Sequence, residues 1–208
     1  PGVRPIDPAP EALVSPCDGF WGASGRVEEG ELLQVKGRPY SLAALLGDAE
    51  QARRLEGGAF ATFYLSPRDY HRFHMPCDAT PVAARHLPGT LLPVNGLGLH
   101  GVDGLFAGNE RIAASFVLPG GGELAIVAVG ATNVGKVRVT FDDLTTQTGR
   151  GPEARRYVDA RPLAKGEEWG RFEFGSTLVL VAAAEALRLE PEEPDRVLRL
   201  GTRIGTLL

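Results

Sequence analysis

A Gly-Ser step entering an apolar strand is the first place in this sequence where chemistry can be written. Phe174-Gly175-Ser176-Thr177 runs into Leu178-Val179-Leu180-Val181. A hydroxyl therefore sits one peptide from an unhindered glycine carbonyl, and glycine permits the tight backbone angles that an attack on that carbonyl requires. Alone, Gly-Ser before a strand most often marks a turn. Asp69-Tyr70-His71-Arg72-Phe73-His74 offers the base such a serine lacks, because two imidazoles and the Asp69 carboxylate can do proton chemistry near neutral pH. Ser15-Pro16-Cys17-Asp18-Gly19 is a turn by composition that can hold an acid, Asp18, on a tight loop and orient a histidine.

Two competing readings use the same residues. His71-x-x-His74-x-x-Cys77 has donors and spacing suited to zinc, which points to a metal-dependent hydrolase. Against it, a structural site wants four ligands, no second paired cluster follows, and Pro76 constrains Cys77, so no metal is expected. In the other reading the chain is a non-catalytic β-rich binding module: Gly175-Ser176 is a turn, one histidine is a packed core residue and Asp69 is only a cap. Gly130-Ala131-Thr132-Asn133-Val134-Gly135 joins two strand-like segments with no helix after it, so it reads as a connection rather than a phosphate cradle.

The elements that must position these groups are mostly strands. Strand-like segments recur at 20–27, 32–35, 60–65, 81–87, 112–118, 124–129, 136–141, 171–174 and 177–181. The segment 134–140 alternates as a half-buried strand does, and 124–129 is uniformly apolar, as expected of a strand covered on both faces. One amphipathic helix is predicted after the N-cap Ser41, ending at Gly57-Gly58, with Gly47 allowing a split into two. Ser66-Pro67-Arg68-Asp69 reads as a further helix start that would place His71 and His74 on a common face. A short helix is expected at 182–189 and an exposed loop at 145–160. The fold class is mainly β (α+β): an antiparallel β-rich sandwich or barrel-like single domain with one or two peripheral helices, over 14–208, after an extended lead-in at 1–13.

Composition agrees with a domain that has a real core. Of 208 residues, 43% are hydrophobic and 23% charged, and the 27 Gly and 16 Pro punctuate short apolar segments. A net charge of −4 supplies no electrostatic ground for binding nucleic acid. The longest apolar run is strand-sized, too short for a membrane-crossing helix. Cys17 and Cys77 are read as reduced thiols.

Taken in order, Ser15-Pro16-Cys17-Asp18-Gly19, Gln34-Val35-Lys36-Gly37, the stretch from Tyr64-Leu65-Ser66-Pro67-Arg68-Asp69 to Met75-Pro76-Cys77, Leu105-Phe106-Ala107-Gly108-Asn109-Glu110-Arg111, Val129-Gly130-Ala131-Thr132 and Phe174-Gly175-Ser176-Thr177 resemble the ordered motifs of the phosphatidylserine decarboxylases. The likeness runs from about Val14 to the C-terminus. It departs at Phe174 and Cys17, where the family commonly has Leu and Ala, and neither touches a reacting atom. The family's N-terminal helical region, which attaches the enzyme to the membrane, is expected to lie outside this chain.

The resemblance implies a proenzyme that cuts itself between Gly175 and Ser176, leaving a β fragment, 1–175, and an α fragment, 176–208, that stay associated. His74 is the expected base for Ser176, with Asp18 holding its ring and Asp69 assisting, in the manner of a Ser-His-Asp relay. Ser176 would become a covalent pyruvoyl group, the only cofactor, which forms a Schiff base with the serine amine of phosphatidylserine and withdraws electrons as carbon dioxide leaves. His71 is the expected proton donor or carboxylate contact in that second reaction. A homodimer acting on phosphatidylserine at a membrane surface, on the cytoplasmic face of the bacterial inner membrane, is implied as well.

Overall fold

Uniformly apolar segments end up where both faces of a sheet are covered, and that fixes the centre of this molecule. The computed structural model describes residues 3–33, 39–94, 102–132, 136–173, 176–190 and 193–208. In chain order its strands are β1 (Ala12–Val14), β2 (Gly19–Arg26), β3 (Glu31–Leu33), β4 (Pro39–Ser41), β5 (Ala59–Tyr64), β6 (Arg72–His74), β7 (Thr80–Leu87) and β8 (Arg111–Val117). They continue as β9 (Glu123–Val129), β10 (Val137–Val139), β11 (Glu153–Arg156), β12 (Glu168–Phe172), β13 (Thr177–Ala182), β14 (Leu187–Leu189), β15 (Val197–Leu198) and β16 (Arg203–Leu207).

Eight strands form the main sheet in the order β11-β7-β8-β9-β13-β5-β2-β15. β9 and β13 hold its middle, and every residue of β13 is buried. Their Val, Leu, Ile and Ala side chains suit a strand packed on both faces. β7, nearer the edge, alternates buried and half-buried positions. Smaller sheets, β10-β12-β6 and β1-β16-β14, and the β3-β4 pair complete the architecture. The strand ladders are antiparallel throughout. Aromatic side chains join the small sheet that carries β6 to the main one. Phe73 lies 4.4 Å from Trp169 between ring centroids, and Trp169 meets Phe116 of β8 edge-on at 5.7 Å, a geometry that favours offset and T-shaped pairs.

The predicted helix is split. Ser41 caps α1 (Leu42–Leu46) by accepting the Ala44 N–H, and Gly47 ends it at φ 65°, a left-handed angle that costs other residues more. Asp48 then caps α2 (Ala49–Arg54). A single turn of helix, α3 (Leu105–Gly108), precedes β8.

Three expectations are corrected. Residues 182–189 form the end of β13, a turn and β14 rather than a helix. The loop expected at 145–160 contains β11, whose alternating Glu153, Ala154, Arg155 and Arg156 extend the sheet edge beside β7; charged residues are well suited to such an edge. Ser66–Asp69 is a turn, not a helix start, and His74 lies on strand β6. A spacing of three shares a face on a helix but not on a strand, so the basis for pairing His71 with His74 is lost.

Candidate active site

Three adjoining strands of the main sheet finish or begin at one edge, and Ser176 stands at the head of the middle one. Thr177 is paired with Tyr64 of β5 on one side and Val129 of β9 on the other. The Leu65 N–H donates to the Ser176 carbonyl at 2.7 Å. The Ser176 hydroxyl, fully buried, donates to the Val129 carbonyl. Strand pairing thus locates Ser176, and a main-chain acceptor orients its hydroxyl. Gly175 and Phe174, on the other side of the expected cleavage bond, lie outside the described residues, as does 34–37.

Asp18 reaches the same end of the sheet because β2 pairs with β5, Phe20 opposite Tyr64. Gly19 makes the approach tight: a Cβ there would fall on the Tyr64 carbonyl. The Asp18 carboxylate is buried and receives the Arg4 guanidinium through both oxygens, at 2.8–3.1 Å, and the Leu200 N–H at 2.9 Å. Arg199 adds a longer contact of 3.5 Å. Burial pushes the Asp18 carboxyl up, but the Arg4 and Leu200 hydrogen bonds and the charges of Arg4 and Arg199 outweigh it and hold it below the usual range.

The histidines come from the connection after β5. Asp69 closes its turn by accepting the Ser66 N–H at 2.7 Å, while its own N–H donates to the Ser66 carbonyl at 3.0 Å. His71 is half-buried; burial lowers its pKa, against a Ser66 backbone hydrogen bond and the Asp69 charge that raise it. His74 is anchored by its N–H on the Pro16 carbonyl, 2.8 Å away. Its Nδ1 lies 2.8 Å from the Gly166 carbonyl. A carbonyl only accepts, so Nδ1 carries the proton and Nε2 keeps the basic lone pair. Nε2 is 3.3 Å from the Tyr70 hydroxyl, and the two rings stack at 5.8 Å.

A phosphatidylserine decarboxylase family profile matches residues 1–206. The chain belongs to the phosphatidylserine decarboxylase family. It is similar to the phosphatidylserine decarboxylase proenzyme of Myxococcus xanthus (strain DK1622), 40% identical over 208 residues, covering 100% of this chain and 74% of that protein. The proenzymes of Anaeromyxobacter sp. (strain K) and Brevibacillus brevis (strain 47 / JCM 6285 / NBRC 100599) are each 44% identical over 209 residues, covering 99% of this chain and 74% and 75% of theirs.

Within this family frame, the expected ring-holding contact of Asp18 is replaced. Among the described residues, the His74 ring is held by Gly166 and Tyr70, and Asp18 by Arg4, Arg199 and Leu200. A two-pronged, charge-assisted pair with arginine is stronger than one bond to a neutral imidazole. Arg4 nevertheless links the two groups, because its Cζ lies 4.4 Å over the Tyr70 ring that stacks on His74. Arg4, Tyr70, Gly166 and Val129 were not among the expected site residues. Tyr70 carried a signal in its place beside His71; the main-chain carbonyls carry none in any side-chain pattern.

The metal reading gains nothing from this geometry. Among the described residues, no three of His, Cys, Asp and Glu gather as ligands. Cys77 is buried, and burial pushes its thiol up to about 12. Both cysteines are free thiols. Ser176 fits the origin of a pyruvoyl group: its hydroxyl is buried and held by one main-chain acceptor, away from competing water.

Proposed function

We propose that this chain is a self-processing phosphatidylserine decarboxylase whose cofactor is the pyruvoyl group made from Ser176. The observation that carries this reading is the buried Ser176 hydroxyl at the head of β13, held against the Val129 carbonyl, in a chain whose family relatives are proenzymes. The Ser176 oxygen attacks the Gly175 carbonyl and its proton passes to His74 Nε2, the ring nitrogen with the lone pair. The protonated amine of residue 176 leaves and an ester joins the two. Removal of the α-proton of residue 176 expels the Gly175 carboxylate, and addition of water with loss of ammonia completes the new terminus.

Asp18 acts here as a fixed negative charge that favours the imidazolium of His74, moderated by Arg4 and Arg199, and Asp69 keeps the turn that carries His71. In the decarboxylation, the pyruvoyl group supplies the electron sink. His71, kept neutral by burial, gives or takes the substrate proton. The substrate is phosphatidylserine, which the name of the family relatives supports; its presentation by a membrane, on the cytoplasmic face of the bacterial inner membrane, to a homodimer belongs to the same proposal.

Mass spectrometry of the denatured protein tests the proposal. Wild type should yield fragments 1–175 and 176–208, the smaller lighter by one ammonia than its serine form, and S176A should yield one intact chain. Folded wild type that remains a single chain after long incubation overturns self-processing.

A further inference from the structure

Asn109 is fully buried, and its carboxamide uses its full hydrogen-bonding capacity. Its Oδ1 accepts from the Thr90 hydroxyl and the Leu92 N–H, each at 3.0 Å, and its Nδ2 donates to the Leu92 carbonyl at 2.8 Å and the Gly130 carbonyl at 2.9 Å. The next residue completes the grip, since the Gly130 N–H donates to the Glu110 carbonyl at 2.8 Å. Both main-chain polar groups of Gly130 are therefore held by two consecutive residues.

That grip reaches the nucleophile through one rigid unit. The Gly130 N–H and the Val129 carbonyl belong to the same planar peptide. The Glu110 carbonyl pins that plane through the Gly130 N–H, and the Val129 carbonyl at its other end is the acceptor of the Ser176 hydroxyl. Asn109 Nδ2 holds the following peptide through the Gly130 carbonyl, so that Gly130, with no side chain to restrict its dihedrals, keeps the one conformation that joins the two planes. Three staggered rotamers are open to a serine, and this acceptor selects one of them.

We propose that Asn109 is a positioning residue for chain cleavage: through Gly130 it sets the orientation of the Val129 carbonyl, and so the rotamer from which Ser176 attacks. The inference rests on the self-processing reading and adds to it the part of the fold that prepares the serine. Asn109 touches no reacting atom, so its loss slows cleavage without removing the nucleophile or the base.

The test follows cleavage by intact mass in freshly refolded wild type, N109D and T90A, each first checked for a cooperative melt. N109D keeps the shape and the contacts to Thr90 and the Leu92 N–H but, when ionised, has no donor for the Gly130 carbonyl. It should cleave about 10- to 100-fold more slowly than wild type, the cost of a misplaced reacting group. Its rate relative to wild type should climb as pH falls and the new carboxyl gains a proton that restores the donor. T90A loosens the same side chain away from Gly130 and should slow cleavage by no more than about twofold, well short of that misplacement cost. If N109D does not fold, N109S, too short to span Leu92 and Gly130, takes its place with the same slowing expected. A wild-type rate in the folded variant at every pH, or equal slowing in T90A, overturns the proposal. Failure of wild type itself to cleave overturns instead the reading beneath it.

Discussion

Replacing Arg4 with alanine removes the principal partner of a carboxylate that is only 6% exposed, while Arg4 itself is 28% exposed. Breaking a fully buried pair costs about 3–5 kcal/mol, because one charge is left without compensation. Here two features reduce that figure. The Arg4 side reaches solvent, which screens its half of the pair, and Asp18 keeps the Leu200 N–H and the longer Arg199 contact. The expected loss at pH 7 is therefore about 1–3 kcal/mol. The pH dependence has a definite sign. The folded Asp18 pKa is lowered, so the stability it contributes is fully present above the unfolded value near 3.9 and is lost as pH falls through the folded one. Urea unfolding of S176A and R4A/S176A, both expected to be uncleaved and so single chains, measures the difference. It should be largest at neutral pH and shrink from about pH 4 downward. An unchanged urea midpoint at pH 7, or a gap as wide in acid as at neutrality, would refute the assigned pairing.

Other outcomes follow from the same geometry. His71 should titrate below the ordinary histidine value of about 6.5 in an NMR pH series, because burial outweighs its Ser66 bond and the Asp69 charge; a value above that range contradicts the assigned environment. Its lowered pKa also means that protonating it in acid works against the fold, so H71Q should remove part of the stability lost as pH drops below about 6.5. Gly19→Ala puts a methyl against the Tyr64 carbonyl and should cost about 1–3 kcal/mol in urea unfolding, by prising β2 from β5; unaltered stability counts against that close approach.

Much of the main sheet was legible in local pattern. The apolar runs at 124–129 and 177–181 became the two central strands because only a strand covered on both faces tolerates such a run in a β-rich chain. Ser41 and Gly47 marked helix limits through their own side-chain and backbone chemistry. Short strands were harder. β6 and β11 are three and four residues long and form because the neighbouring strand offers a ladder, a fact absent from their own composition. The misreading of Ser66–Asp69 has a similar cause: the same capping chemistry closes a turn when β5 and β6 leave no room for a helix.

The sequence by itself determined the family to which the ordered motifs belong and supplied the groups proposed to react: Ser176 after a glycine, His74 and His71 in one short stretch, Asp18 in another. Side-chain type and local order suffice for that, since nucleophile, base and acid are properties of single residues. Only the tertiary structure decided which groups hold them. The Gly166 carbonyl on His74, Arg4 on Asp18, and Asn109 on the Gly130 carbonyl depend on strand register and on segments far apart in the chain. Every residue but proline offers the same main-chain donor and acceptor, so no sequence pattern tells which of them will face a given side chain.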